Sequence, residues 1–117
     1  MKLGQLDPQF VQYFEDASGS YLRCVPDLVQ AQGIRFLCPA CFVRNGGNVG
    51  THYIETSFAG RDVKDHQGSH NRSGKPSRWT VYGSGYSDLT LSPSVLIYAA
   101  EPACPGWHGW VKFGEVK

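Results

Sequence analysis

The chain has no surplus of charge of either sign. Eleven Lys and Arg stand against ten Asp and Glu in 117 residues, a formal net charge of +1. General binding to nucleic acid or to anionic membranes rests on a clear basic surplus, so the composition speaks against both. Long apolar runs are also missing, and nothing approaches the roughly 18 residues that a spanning helix needs. The opening Met1-Lys2-Leu3-Gly4-Gln5 lacks the apolar core of a secretion signal, which makes the cytoplasm the expected compartment. Cysteine is sparse, at four residues. In a reducing compartment, few and paired cysteines point to metal ligands or redox groups before disulfides.

What the chain does have is turn formers and rings. There are 14 glycines and 7 prolines, and aromatic residues reach 13%, a mixture that favours short strands over a helical bundle. The expected fold is mainly β, a small α+β domain. It has a twisted antiparallel sheet, a short N-terminal helix and a zinc knuckle. Residues 1–20 are read as a helix or arm and 21–117 as one zinc-stabilised domain. Asp7 can cap a helix, Pro8 suits its first position, Phe10, Val11 and Phe14 give it an apolar side, and Gly19 ends it. Strands are predicted at 21–25, 34–37, 51–58, 78–82, 95–99 and 109–113, with one or two helical turns at 26–32. In the third of these, His52, Ile54, Thr56 and Phe58 share one face. Residues 60–77 are polar and without periodicity, and the lack of apolar anchors favours disorder over a functional loop.

Two half-sites carry the metal chemistry. Cys38-Pro39-Ala40-Cys41 places two thiolates on one side of a tight turn. Cys104-Pro105-Gly106-Trp107-His108 offers a thiolate and an imidazole in a second turn. Together they make a four-ligand structural zinc site, Cys38, Cys41, Cys104 and His108, with no open position for catalysis. A redox dithiol at Cys38 and Cys41 is the competing reading, but it lacks a βαβ context and leaves Cys104 and His108 unexplained. Cys24 is read as a small buried residue in a strand, with a second role as substitute fourth ligand.

Several motifs resemble a family of small bacteriophage and prophage proteins that often carry the label "ammonia monooxygenase". They are Gln32-Gly33-Ile34-Arg35-Phe36-Leu37-Cys38-Pro39-Ala40-Cys41-Phe42, Asn45-Gly46-Gly47-Asn48-Val49-Gly50-Thr51-His52, Leu91-Ser92-Pro93-Ser94-Val95 and Trp107-His108-Gly109-Trp110. The residues do not support an oxygenase: beyond the cysteine set there is no copper or iron site, and thiolate-rich sites favour zinc. A related branch looks like small proteins encoded beside bacterial ubiquitin-like conjugation genes. The resemblance to that branch implies a peptidase using a serine, with Ser92 or Ser94 and His108 as the parts that carry over.

Two function classes follow. One is a binding module that engages a host or phage protein through Trp79, Tyr82, Trp107 and Trp110, aromatics that otherwise fill the core. The other is a serine peptidase acting on a ubiquitin-like protein or its conjugates. There Ser94 is the nucleophile, His108 or His52 the base, and Glu55 or Glu101 the group that orients it. The second class carries a conflict. An imidazole nitrogen bound to zinc cannot also accept the serine proton, so one histidine cannot serve both sites. The bland alternative is that Ser92 and Ser94 are turn residues at the start of a strand. His66 and His70 are expected to be solvated, since Gly68 argues against a helix that would align them.

Overall fold

A computed structural model describes all residues, 1–117, and the mainly β architecture is what it shows. The main sheet is antiparallel with four strands in the order β2-β1-β3-β4: β1 Gln9–Asp16, β2 Gly19–Val25, β3 Gly33–Leu37 and β4 Tyr53–Ser57. Three hairpins follow. They are β5 Thr80–Tyr82 with β6 Thr90–Ser92, β7 Val95–Ile97 with β8 Trp107–Gly109, and β9 Val111–Lys112 with β10 Glu115–Val116. The one α-helix, α1, is Pro39–Asn45, and no helix is long and apolar enough to cross a membrane.

The N-terminal helix expected at Pro8 to Phe14 is replaced by β1. The helical content near the N-terminus is one 3-10 turn, Leu3–Leu6, which ends at Asp7 in the left-handed region (φ 48°). Phe10 and Val11 are adjacent and both buried, a pattern that fits a strand covered on both faces. The ring and β-branched residues of Phe10-Val11-Gln12-Tyr13-Phe14 suit a pleated surface, and the chain pairs β1 with β2 on one side and β3 on the other. Tertiary pairing thus overrides the local helix signals. The segment 26–32 also forms turns, with Ala31 N–H on Leu28 C=O. The stretch read as one last strand, 109–113, is divided: Gly109 closes β8, and β9 turns at Phe113-Gly114 into β10.

One contiguous core joins the sheet to the hairpins. Phe36 and Ile34 from β3, Phe58 just after β4, Leu91 from β6, Val95 from β7 and Val111 from β9 are all essentially inaccessible to solvent. Fully burying a side chain of this size contributes about 1.5–3 kcal/mol. Trp79 sews the sheet to the hairpins. Its N–H donates to Ser57 C=O at 2.9 Å, and its C=O accepts from Ala59 N–H at 2.8 Å.

The polar stretch 60–77 is ordered, contrary to the expectation from its composition. Its anchors are polar: the Arg78 guanidinium donates to the carbonyls of Ser69, Ser77, Lys64 and Gln67 at 2.8–3.0 Å. Asn71 Oδ1 accepts from the N–H groups of Ser73 and Lys75. His66 and His70 do not form a pair: His66 Nε2 meets Glu15 Oε1 at 2.7 Å, while both ring nitrogens of His70 face backbone carbonyls of its own loop. Net hydrogen bonds from a charged donor contribute about 1.5–3 kcal/mol each. Arg78→Ala is therefore expected to open this loop locally. Trypsin cleavage after Lys64 or Arg72 should become about tenfold faster or more, and an unchanged cleavage rate would contradict the anchoring role.

Candidate metal centre and serine–histidine pair

The first half-site is built at the start of α1. Cys38 is the residue before the helix, Pro39 supplies a pre-set φ at the first position, and Cys38 C=O accepts from Phe42 N–H at 2.8 Å. The helix ends after two turns at Gly46, in the left-handed region with φ 71°. Cys41 therefore projects from the first turn beside Cys38, and both are buried.

The second half-site is a turn closed by reciprocal hydrogen bonds between Ala100 and Cys104. Gly106 N–H donates to Cys104 Sγ at 3.3 Å. Only glycine fits there: φ is +85°, and a Cβ would lie 3.0 Å from Ala99 N. Arg44 of α1 ties the halves together, donating to the carbonyls of Pro102 and Ala103 at 3.0 Å and pairing with Glu101 at 3.3 Å. Glu101 is thereby engaged away from any catalytic histidine.

The fourth member of the cluster is His52, not His108. Ligand atoms of Cys38, Cys41, His52 and Cys104 all lie within 4.8 Å of one another, a set that can hold a metal ion. The cause is strand register. Leu37 pairs with Tyr53 across β3 and β4, so the next residues outward, Cys38 and His52, face each other, and Cys38 N–H donates to His52 C=O at 2.9 Å. His52 Nδ1 sits 3.2 Å from Tyr53 C=O. A carbonyl only accepts, so Nδ1 carries the proton and the Nε2 lone pair is left for the cluster. His108 does not join because the chain after Gly106 runs on into extended β8 rather than turning back. Cys24 is also absent from the cluster. It is exposed on β2, where its thiol donates to Gln9 Oε1 at 3.3 Å, and this corrects the reading of a buried residue.

The donor set fits a cation on chemical grounds. Cys38 Sγ and Cys104 Sγ are 3.9 Å apart, and a tetrahedral site with metal–sulfur bonds of about 2.3 Å has an S···S edge of roughly 3.8 Å. Burial pushes the Cys38 thiol up, and burial with its two thiol neighbours pushes Cys41 up to about 12. Burial opposes ionisation of Cys104 too, but the Gly106 N–H, the His52 ring and the two thiols outweigh it and lower Cys104 to about 7. Three buried thiolates are therefore unfavourable alone and become favourable around a divalent cation. The geometry is compatible with a metal ion such as zinc.

The histidine left over has a different partner. His108 lies opposite Leu96 in the β7–β8 hairpin, and its Nε2 is 3.0 Å from Ser94 Oγ. The backbone of Ser94 is held in place by Trp79, whose Nε1–H donates to Ser94 C=O at 3.1 Å. Ser92 closes β6, exposed, two residues earlier. Ser94 opens on a cavity of about 560 Å³ whose walls include Glu55, Arg72, Arg78, Trp79 and Tyr98.

Glu55, read from the sequence as a group that orients the base, has Tyr13, Arg35 and Arg78 as its polar neighbours. Its carboxyl is raised above the ordinary range because burial outweighs the Tyr13 hydrogen bond and the two guanidinium groups. The four aromatics do not act alike. Trp79 and Trp107 pack against the core, while Tyr82 and Trp110 are exposed, Trp110 beneath the Lys112 ammonium.

The turn Asn45-Gly46-Gly47-Asn48 and the alternation after it are the sequence signals that suggest β4 as a partner of β3. The register that sets His52 opposite Cys38 comes from the fold, because α1 lies between the two strands. Comparison of the chain with protein-family models, with curated proteins and with solved structures finds no match.

Proposed function

We propose that the protein is a serine hydrolase of the peptidase kind, stapled by one structural zinc ion. The observation that carries this is the division of the two histidines. His52 completes the cluster with Cys38, Cys41 and Cys104, which leaves His108 Nε2 free to stand 3.0 Å from Ser94 Oγ. The conflict present in the sequence, one imidazole needed in two places, does not arise.

Zinc is favoured because three thiolates and one imidazole in a tetrahedral set suit a soft, redox-inert ion. Bound there, the ion would supply folding energy and no reaction chemistry, since four protein ligands leave no coordination position open.

In the reaction, Ser94 Oγ attacks the substrate carbonyl as its proton passes to His108 Nε2. The imidazolium returns that proton to the departing amine as the C–N bond breaks. Water then attacks the acyl-serine ester, giving up a proton to Nε2, and Ser94 recovers its own as the carboxylic acid leaves. Trp79 fixes the backbone from which Ser94 acts. The resemblance to proteins encoded beside ubiquitin-like conjugation genes makes a ubiquitin-like protein or its conjugates the proposed substrate. The binding-module reading draws less support, since two of its four aromatics, Trp79 and Trp107, are committed to the core.

A fluorophosphonate probe tests the reading. It is expected to label Ser94 in folded, zinc-loaded protein, with labelling lost in Ser94→Ala. An unlabelled Ser94 in such protein would contradict the proposal.

A further inference from the structure

We infer that the cavity beside Ser94 takes an extended peptide that carries a carboxylate about four residues from the scissile bond, received by Arg72, where the residue count comes from the strand rise of about 3.3 Å. For cleavage this rests on the hydrolase reading; for binding it stands by itself.

Ser94, Leu96 and Tyr98 stand along the cavity wall at intervals of two residues, with Pro93 and Ile97 of the same segment also in the wall. Strand alternation puts Leu96 on the face of its cross-strand partner His108, the same face on which Ser94 meets that histidine. Leu96 and Tyr98 are 48% and 44% exposed, so apolar surface lies open in line with the serine. Ser94 and Tyr98 are separated by about 13 Å of extended chain, the span of four residues of a substrate laid along the same wall.

At the far end of that line is a cation with nothing to pair with. The Arg72 guanidinium stacks 3.6 Å above the Tyr98 ring. Arg72 is exposed and makes neither a side-chain hydrogen bond nor an ion pair. Stacking orients a guanidinium while leaving its in-plane N–H donors free, the geometry that takes a carboxylate through two parallel hydrogen bonds. The other guanidinium in the wall, Arg78, is spent on four loop carbonyls. The acidic wall residue is Glu55, whose burial disfavours its charge. The cavity is thus apolar beside the serine and positive at Arg72. A peptide with an acidic side chain or a free C-terminal carboxylate at that distance matches both.

Fluorescence anisotropy on zinc-loaded Ser94→Ala protein reads binding without turnover. The probes are labelled peptides with Asp or Lys at the fourth residue on either side of a central bond, and peptides ending there in a free carboxylate or an amide. At one of the two positions the Asp peptide is expected to bind about tenfold more tightly than the Lys peptide, and Arg72→Glu should reverse that order. The carboxylate and amide pair tells a chain end from a side chain. Equal affinities at both positions, or an order that survives Arg72→Glu, would overturn the inference. Fluorophosphonate labelling of the wild-type chain reports separately. Labelling without charge preference removes this inference alone, and charge preference without labelling removes the hydrolase reading and leaves a peptide-binding cleft.

Discussion

Replacing His52 by alanine is expected to release the metal and lower the melting temperature steeply, whereas His108→Ala keeps the metal and melts within a few degrees of wild type. The difference follows from position. His52 is the imidazole within 4.8 Å of the three cysteines, while His108 is an exposed strand residue whose ring meets a serine hydroxyl. The cluster joins the start of α1, the end next to β4 and the turn before β8, segments up to 66 residues apart in sequence. A metal ion there would add a cross-link to the contacts that Arg44 and the β3–β4 pairing already make between these parts. Loss of one ligand leaves buried thiols whose ionisation burial opposes. The expected destabilisation is on the order of 3–5 kcal/mol, roughly 10–20 °C for a domain of this size. Cys38→Ser should behave like His52→Ala, and a strong chelator should bring the wild type to the same melting temperature. Cys24→Ser, at an exposed thiol outside the cluster, should change stability by less than about 0.5 kcal/mol. Thermal melts paired with elemental analysis check all five expectations.

The second large effect is kinetic. On any substrate that the protein cleaves, Ser94→Ala and His108→Ala are each expected to lower kcat/KM by about a thousandfold or more. The double variant should be scarcely worse than either single one. A serine without its base and a base without its serine are equally idle, so the two effects do not add. KM should move little, because neither group holds the substrate before reaction. Additive losses, or a His52→Ala variant that loses turnover while keeping its metal and its melting temperature, would mean that the pair does not act as one unit.

The metal centre was largely written in the spacing of the cysteines. Cys38-x-x-Cys41 and Cys104 are recognisable because two ligands three residues apart must share a turn and a third cysteine before a Gly turn is a natural completion. The fourth ligand was not legible from spacing alone. The interval from Cys104 to His108 looks like a half-site, and only the register of β3 against β4 shows that His52 faces Cys38 while residues 105–108 lead away into β8. The helix expected at β1 fails for a related reason. Asp7, Pro8 and the apolar residues at positions 10, 11 and 14 carry real helix signals, and what overrides them is pairing on both edges, which a local pattern does not contain. The stretch 60–77 lacks apolar anchors, and its composition therefore resembles that of a disordered segment. Its order comes from polar anchors: the Arg78 guanidinium, just outside it, collects four of its carbonyls, Ser69 bonds to Ser57 and Glu55, and Arg61 donates to Leu28 and Ala31. The strands at β3, β4 and β7 were legible because each combines β-branched or aromatic residues with a flanking turn signal.

The division of the histidines between two sites can be read in one measurement: native mass spectrometry of wild-type, His52→Ala and His108→Ala protein after treatment with a fluorophosphonate. The wild-type chain is expected to carry one zinc ion and one probe adduct. His108→Ala should keep the zinc and lose the adduct, and His52→Ala should lose the zinc. A His108→Ala chain without zinc, beside a His52→Ala chain that retains it, would contradict the assignment outright.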